Sequence, residues 1–95
     1  MVSKLTLTLY RIAQATRPLT SREVAEAIAL NYERNFNKRE MRYAKKLAPF
    51  ITRERIPGAS SRRRLWHWSL STEWKGHRPL DIVKAFKDRG VADVA

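Results

Sequence analysis

Apolar residues recur at Leu5, Leu9, Ile12 and Ala13, a spacing of i, i+4, i+7 and i+8 that marks one face of a helix over about Lys4 to Thr16. The alternation Leu5, Leu7, Leu9 also fits a short strand, but it stops at Tyr10 while the helical spacing continues. Arg17-Pro18 breaks the pattern, because proline biases its predecessor away from helical geometry. Thr20-Ser21-Arg22-Glu23 then fits a capping box and predicts a second helix from Ser21 to near Leu30. Val24, Ala25 and Ile28 would face inward, with Leu19 closing on Val24 as a hydrophobic staple. Asn31 to Phe36 is polar and aromatic and reads as a connection. Asn37 as cap and Glu40 three positions later open a third helix from about Lys38 to Ala48, stopped by Pro49. Met41, Ala44 and Leu47 or Ala48 would line its inner side.

From Ile51 to Ile56 β-branched residues alternate with charge, Pro57-Gly58 marks a turn, and Leu65 to Leu70 is rich in aromatic residues, so a β-hairpin is expected. The period of two sends Trp66, Trp68 and Leu70 to one face, as core, and leaves Leu65, His67 and Ser69 on the other. Pro79 begins a last helix running to about Arg89 and closed by Gly90, with Leu80, Val83 and Phe86 on its apolar side and Ile82 beside them.

Composition narrows the function classes. A chain of 95 residues, 43% apolar, has room for one compact core. No apolar run approaches the ~20 residues of a spanning helix and no signal-peptide pattern is present, so a soluble, cytoplasmic protein without a membrane partner is expected. There is no cysteine, and the two histidines, His67 and His77, are too few for an ordinary zinc site, so no metal or other cofactor is expected. Neither a glycine-rich phosphate loop nor a nucleophile beside a base stands out, which argues against an enzyme and leaves no small-molecule ligand evident.

The charge carries more. The formal net charge is +11, an imbalance that repels itself in a compact chain unless an acidic partner offsets it. Between Glu33 and Arg64 eleven cations meet three acids, a net +8, so most of the excess lies in the third helix and the hairpin. The stretches RPLTSREVAEAI, NKREMRYAKKLAPFI and ITRERIPGASSRRRLWHWSL, in that order, resemble the winged helix-turn-helix DNA-binding domains of small bacterial, archaeal and phage regulators. The resemblance implies an α+β, mostly helical fold of three helices and a hairpin wing in residues 1–72, with residues 73–95 as an extension carrying the additional C-terminal helix.

It also implies that the third helix enters a major groove of double-stranded DNA while the hairpin loop touches the backbone or minor groove. With Met41, Ala44 and Ala48 inward, Arg39, Arg42, Tyr43 and Lys46 would share the outer face. Arg39 and Arg42, whose guanidiniums can bridge guanine O6 and N7, are the base-reading candidates with Tyr43. Lys38, Lys45 and Lys46 would sit on phosphates. Arg53 and Arg55 on the first strand, and Arg62, Arg63 and Arg64 at the wing tip, complete the basic surface. A solvated surface helix would carry similar residues; the coincidence of charge with these two elements favours nucleic acid.

A small, nucleoid-associated transcription regulator working as a homodimer is the simplest reading, with the apolar side of the last helix either forming the dimer contact or packing on the first helix and Trp74. The alternatives are an RNA-binding or ribosome-associated protein and a DNA-binding adaptor in a replication or recombination assembly.

Overall fold

Ser3 starts the first helix, α1 (Lys4–Gln14): its hydroxyl accepts from the Thr6 N–H at 3.1 Å, pairing one of the donors that every helix start leaves open. The computed structural model describes residues 3–56 and 66–89. Leu5, Leu9 and Ile12 are buried, and α1 stops before the expected Thr16 because Ala15 is already extended ahead of Pro18.

A two-residue strand, β1 (Leu19–Thr20), leads directly into α2 (Ser21–Ala27). Thr20 ends the one and caps the other. Its hydroxyl accepts from the Glu23 N–H at 3.2 Å while the Glu23 carboxylate accepts from the Thr20 N–H at 3.0 Å, the reciprocal pair of a capping box. The helix ends at Ala27, short of Leu30, because Ala29 turns left-handed with φ of 58°. The Leu30 N–H then bonds the Ala25 carbonyl at 2.9 Å and the Ala29 N–H that of Glu26 at 3.1 Å, the two closing bonds of a Schellman turn. The Lys4 ammonium adds a third by donating to the Ile28 carbonyl at 2.6 Å.

What reads as a connection contains a π-helical turn, Tyr32–Phe36, which runs without a break into α3 (Asn37–Leu47). The cap therefore sits upstream: the Asn31 side chain accepts from the Arg34 N–H at 2.8 Å. Asn37, expected as the cap, has helical angles and makes no capping bond.

The strands β2 (Ile51–Arg55) and β3 (Trp66–Leu70) pair antiparallel, Ile51 opposite Leu70 and Arg53 opposite Trp68. β1 pairs with the other edge of β3, Leu19 opposite Trp68, giving the order β1-β3-β2. Two residues are too few to carry a periodic signal, so the hydropathy pattern does not reveal β1. Trp68 is fully buried, with Trp66 and Leu70 half-buried against the same core, as their alternation requires. The expected wing tip, Pro57 to Arg64, and Leu65 and Gly90 lie outside the described residues.

A 3-10 turn, Thr72–Trp74, leads to α4 (Pro79–Asp88), with proline in its first turn where no N–H is missed. Ile82 and Phe86 are buried and Ala85 packs beside them, whereas Leu80 is 71% exposed. The expected stripe through Leu80 is thus displaced, because the side of α4 that meets α1 and Phe50 is the one carrying Ile82 and Phe86. Phe50 receives the Phe86 ring edge-on at 5.5 Å and stacks on Trp74 at 4.8 Å. These contacts fill the α4 face from within the chain, in a core that runs unbroken from Leu5 to Phe86. The described residues form an α+β fold, mostly helical, of four α-helices and a three-stranded antiparallel sheet.

Candidate nucleic-acid interface

α3 carries Lys38, Arg39, Arg42, Lys45 and Lys46 against a single acid, Glu40, so the orientation of the helix decides what surface it offers. Phe36, Glu40, Tyr43 and Leu47, at i, i+4, i+7 and i+11, are buried. Met41 is 56% exposed and Ala48 is exposed. The helix is therefore turned by about one residue position, roughly 100° about its axis, from the expected phase. Two corrections follow. Tyr43 is not on the outer face: its ring packs edge-on against Phe36 at 5.8 Å. Met41 is not core and points to solvent.

The phase follows from what holds Glu40. The Trp68 indole N–H donates to the Ser21 hydroxyl at 3.0 Å, that hydroxyl donates to a Glu40 carboxylate oxygen, and Arg53 reaches the same oxygen at 3.4 Å. A buried carboxylate without partners would be strongly unfavourable, and this one has a hydroxyl donor and a cation. The chain of contacts ties the start of α2, the first turn of α3 and both long strands together. Arg53 is bound into it. Its side chain is 13% exposed, and its guanidinium lies 4.3 Å from the Trp66 ring centre and 5.5 Å from that of Trp68. Pleating explains this: Ile51, Arg53 and Arg55 share the face of Leu70, Trp68 and Trp66. Arg53, an expected DNA contact, serves instead as the inward counter-ion of Glu40.

With Glu40 turned in, the outer surface of α3 is cationic along its length. Lys38, Arg42 and Lys45, at i, i+4 and i+7, lie opposite the buried ridge, while Arg39 is exposed and Lys46 half-buried on the side next to Tyr43. None of these five forms an ion pair among the described residues. Nearby acids are engaged or face away: Glu33 pairs with Arg22 at 3.1 Å, and Glu54 alternates to the opposite sheet face from Arg53. Arg55 is exposed at the C-terminal end of β2 and adds a further cation. Arg62, Arg63 and Arg64 belong to the stretch outside the described residues.

Two further residues, neither of them a cation, join this surface. Asn37, freed from capping, and Met41, freed from the core, are exposed one helical turn apart. The signal for both was the larger stripe Phe36, Tyr43, Leu47, which competes with Met41, Ala44, Ala48 and is interrupted only by Glu40.

Away from α3, Arg17 grips the Glu23 carboxylate, one bond at 3.0 Å, and with the Thr20 N–H holds its pKa down at about 2. Burial, reinforced by the negative charge of Glu40, pushes the Tyr32 phenol up. The described residues contain no cluster of three metal-ligating side chains and no helix long and apolar enough to cross a membrane. No protein-family model matches the chain, and neither a curated protein nor a solved structure matches it.

Proposed function

We propose that the chain is a winged helix-turn-helix protein that binds double-stranded DNA with α3 in the major groove and its basic wing on the backbone, most simply as a small transcription regulator. The observation that carries the reading is the outward face of α3: five cations without an ion-pair partner among the described residues, and the one acid of the helix withdrawn to Ser21 and Arg53. A helix of this width fits the major groove, and unpaired cations along it exchange condensed counterions for phosphates. The element order is compatible with that fold, with α2 and α3 joined by the turn at Ala29 and β2 and β3 framing a wing. Stacking of single-stranded bases has little support, since Trp68 is buried and Trp66 is covered by Arg53.

Within this reading Lys38 and Lys45 sit on phosphates, while Arg42 and Arg39 reach base edges. Titrating a labelled duplex at several salt concentrations tests it. With Lys38, Lys45 and the wing arginines Arg62, Arg63 and Arg64 on phosphates, about five contacts give a log–log slope near −4.5, and Lys38→Ala with Lys45→Ala lowers its magnitude by about 2. A salt-independent isotherm, or tighter binding of hairpin RNA in competition, overturns the DNA reading.

A further inference from the structure

The exposed side chains of Asn37 and Met41 are out of place on a helix this basic. Met41 is one of two large apolar side chains markedly exposed among the described residues, and the other, Leu80, lies on α4. Its neighbours at helical spacing are the exposed Asn37, Lys38 and Lys45 and the half-buried Ala44, so it stands at the edge of the cationic surface, with lysines on one side and Asn37 and Ala44 on the other. Nor does the thioether swing freely: Arg53 donates toward the Met41 sulfur at 3.7 Å, and Arg53 is itself held by Glu40 and Trp66. An apolar group held in place among phosphate-binding cations suits an apolar feature of the ligand. In the major groove that feature is the 5-methyl group of thymine. Asn37, one turn earlier, carries the carboxamide whose donor and acceptor match adenine N7 and N6. Side chains four apart on a helix stand about 5–6 Å from each other, within reach of one base pair or two adjacent ones.

Resting on the DNA-binding reading, we propose that Met41 and Asn37 read A·T pairs in the major groove, the thioether packing on the thymine methyl and the carboxamide bridging the adenine edge. The pair also separates the two nucleic acids. Uracil lacks the methyl, and the deep, narrow major groove of an RNA duplex would not admit the helix.

The test uses the tightest duplex selected from a random pool, remade with uracil for each thymine facing α3 in turn. Wild type loses about fourfold in affinity at the position Met41 reads, the worth of one buried methyl. Met41→Ala binds the thymine and uracil duplexes equally, Met41→Leu keeps the discrimination, and both retain the wild-type salt slope. Asn37→Ala no longer distinguishes adenine from 7-deazaadenine, which lacks the N7 acceptor. Both replaced residues, Met41 and Asn37, are exposed, and circular dichroism verifies that the three variants fold. The proposal is overturned if Met41→Ala still prefers thymine as wild type does, or if the selected duplexes carry no A·T pair opposite α3. Absence of salt-dependent duplex binding by wild type removes the DNA reading and this proposal with it, and is distinguishable because every duplex then fails alike.

Discussion

The two sides of the core are assembled by different means. Where α1 meets α4, Leu5, Leu9 and Ile12 pack with Ile82, Phe86 and Phe50, and the contacts are apolar. Where α2 and α3 meet the sheet, apolar rings are joined by the directional chain Trp68, Ser21, Glu40, Arg53. Apolar packing tolerates small rotations and volume-conserving exchanges, whereas hydrogen bonds fix an angle. The side that carries the candidate interface is thus the side whose orientation is specified by polar contacts.

Truncating each side distinguishes them. The largest loss is expected for Phe86→Ala, about 4 kcal/mol of stability by chemical denaturation, because a fully buried ring leaves a cavity; DNA discrimination in the folded fraction stays unchanged. Glu40→Ala costs less, about 2 kcal/mol, the expense of leaving Arg53 and the Ser21 hydroxyl without their acceptor. Its effect on DNA is the sharper measurement. Charge alone predicts tighter binding, since an acid is removed and Arg53 released; a carboxylate that orients α3 predicts weaker discrimination between preferred and random duplexes, and retained discrimination would contradict the contrast drawn above.

The smallest effect is at the exposed Arg17–Glu23 pair. The Glu23 carboxyl is lowered from an ordinary 4.5 to about 2, so its charged form favours the folded chain: the contribution is full above about 4.5 and disappears as the pH falls to about 2. The difference in thermal midpoint between wild type and Glu23→Gln should shrink over that window. A difference unchanged from pH 5 to 2.5 would show that the ion pair contributes nothing.

Local signals were readable where the partners are near in sequence. The Thr20–Glu23 box, the α1 stripe and the alternation of Trp66 and Trp68 depend on spacings of two to eight residues, and each occurs as spaced. The phase of α3 depends on Ser21, 19 positions before Glu40, and on a strand arginine beyond it. Hydropathy places methionine inside and glutamate outside; here a long-range network inverts the pair. The same inversion moved Tyr43 and Arg53 off the candidate surface and Asn37 and Met41 onto it. The basic character of the interface was legible, and its composition was not, because charge is a property of the residues and facing is a property of the packed chain.

The strand order has a consequence for handling the protein at high concentration. Trp-His-Trp-Ser-Leu in β3 is the stretch with most to gain from pairing with copies of itself, and it lies in the middle of the sheet, flanked by β1 and β2. The outer strand β2 carries the exposed Glu54 and Arg55 and the inward-facing Arg53, and charges on an edge strand, exposed or inward-pointing, discourage a second sheet from adding on. The order of the strands thus keeps this stretch away from the sheet edges, independently of the net positive charge.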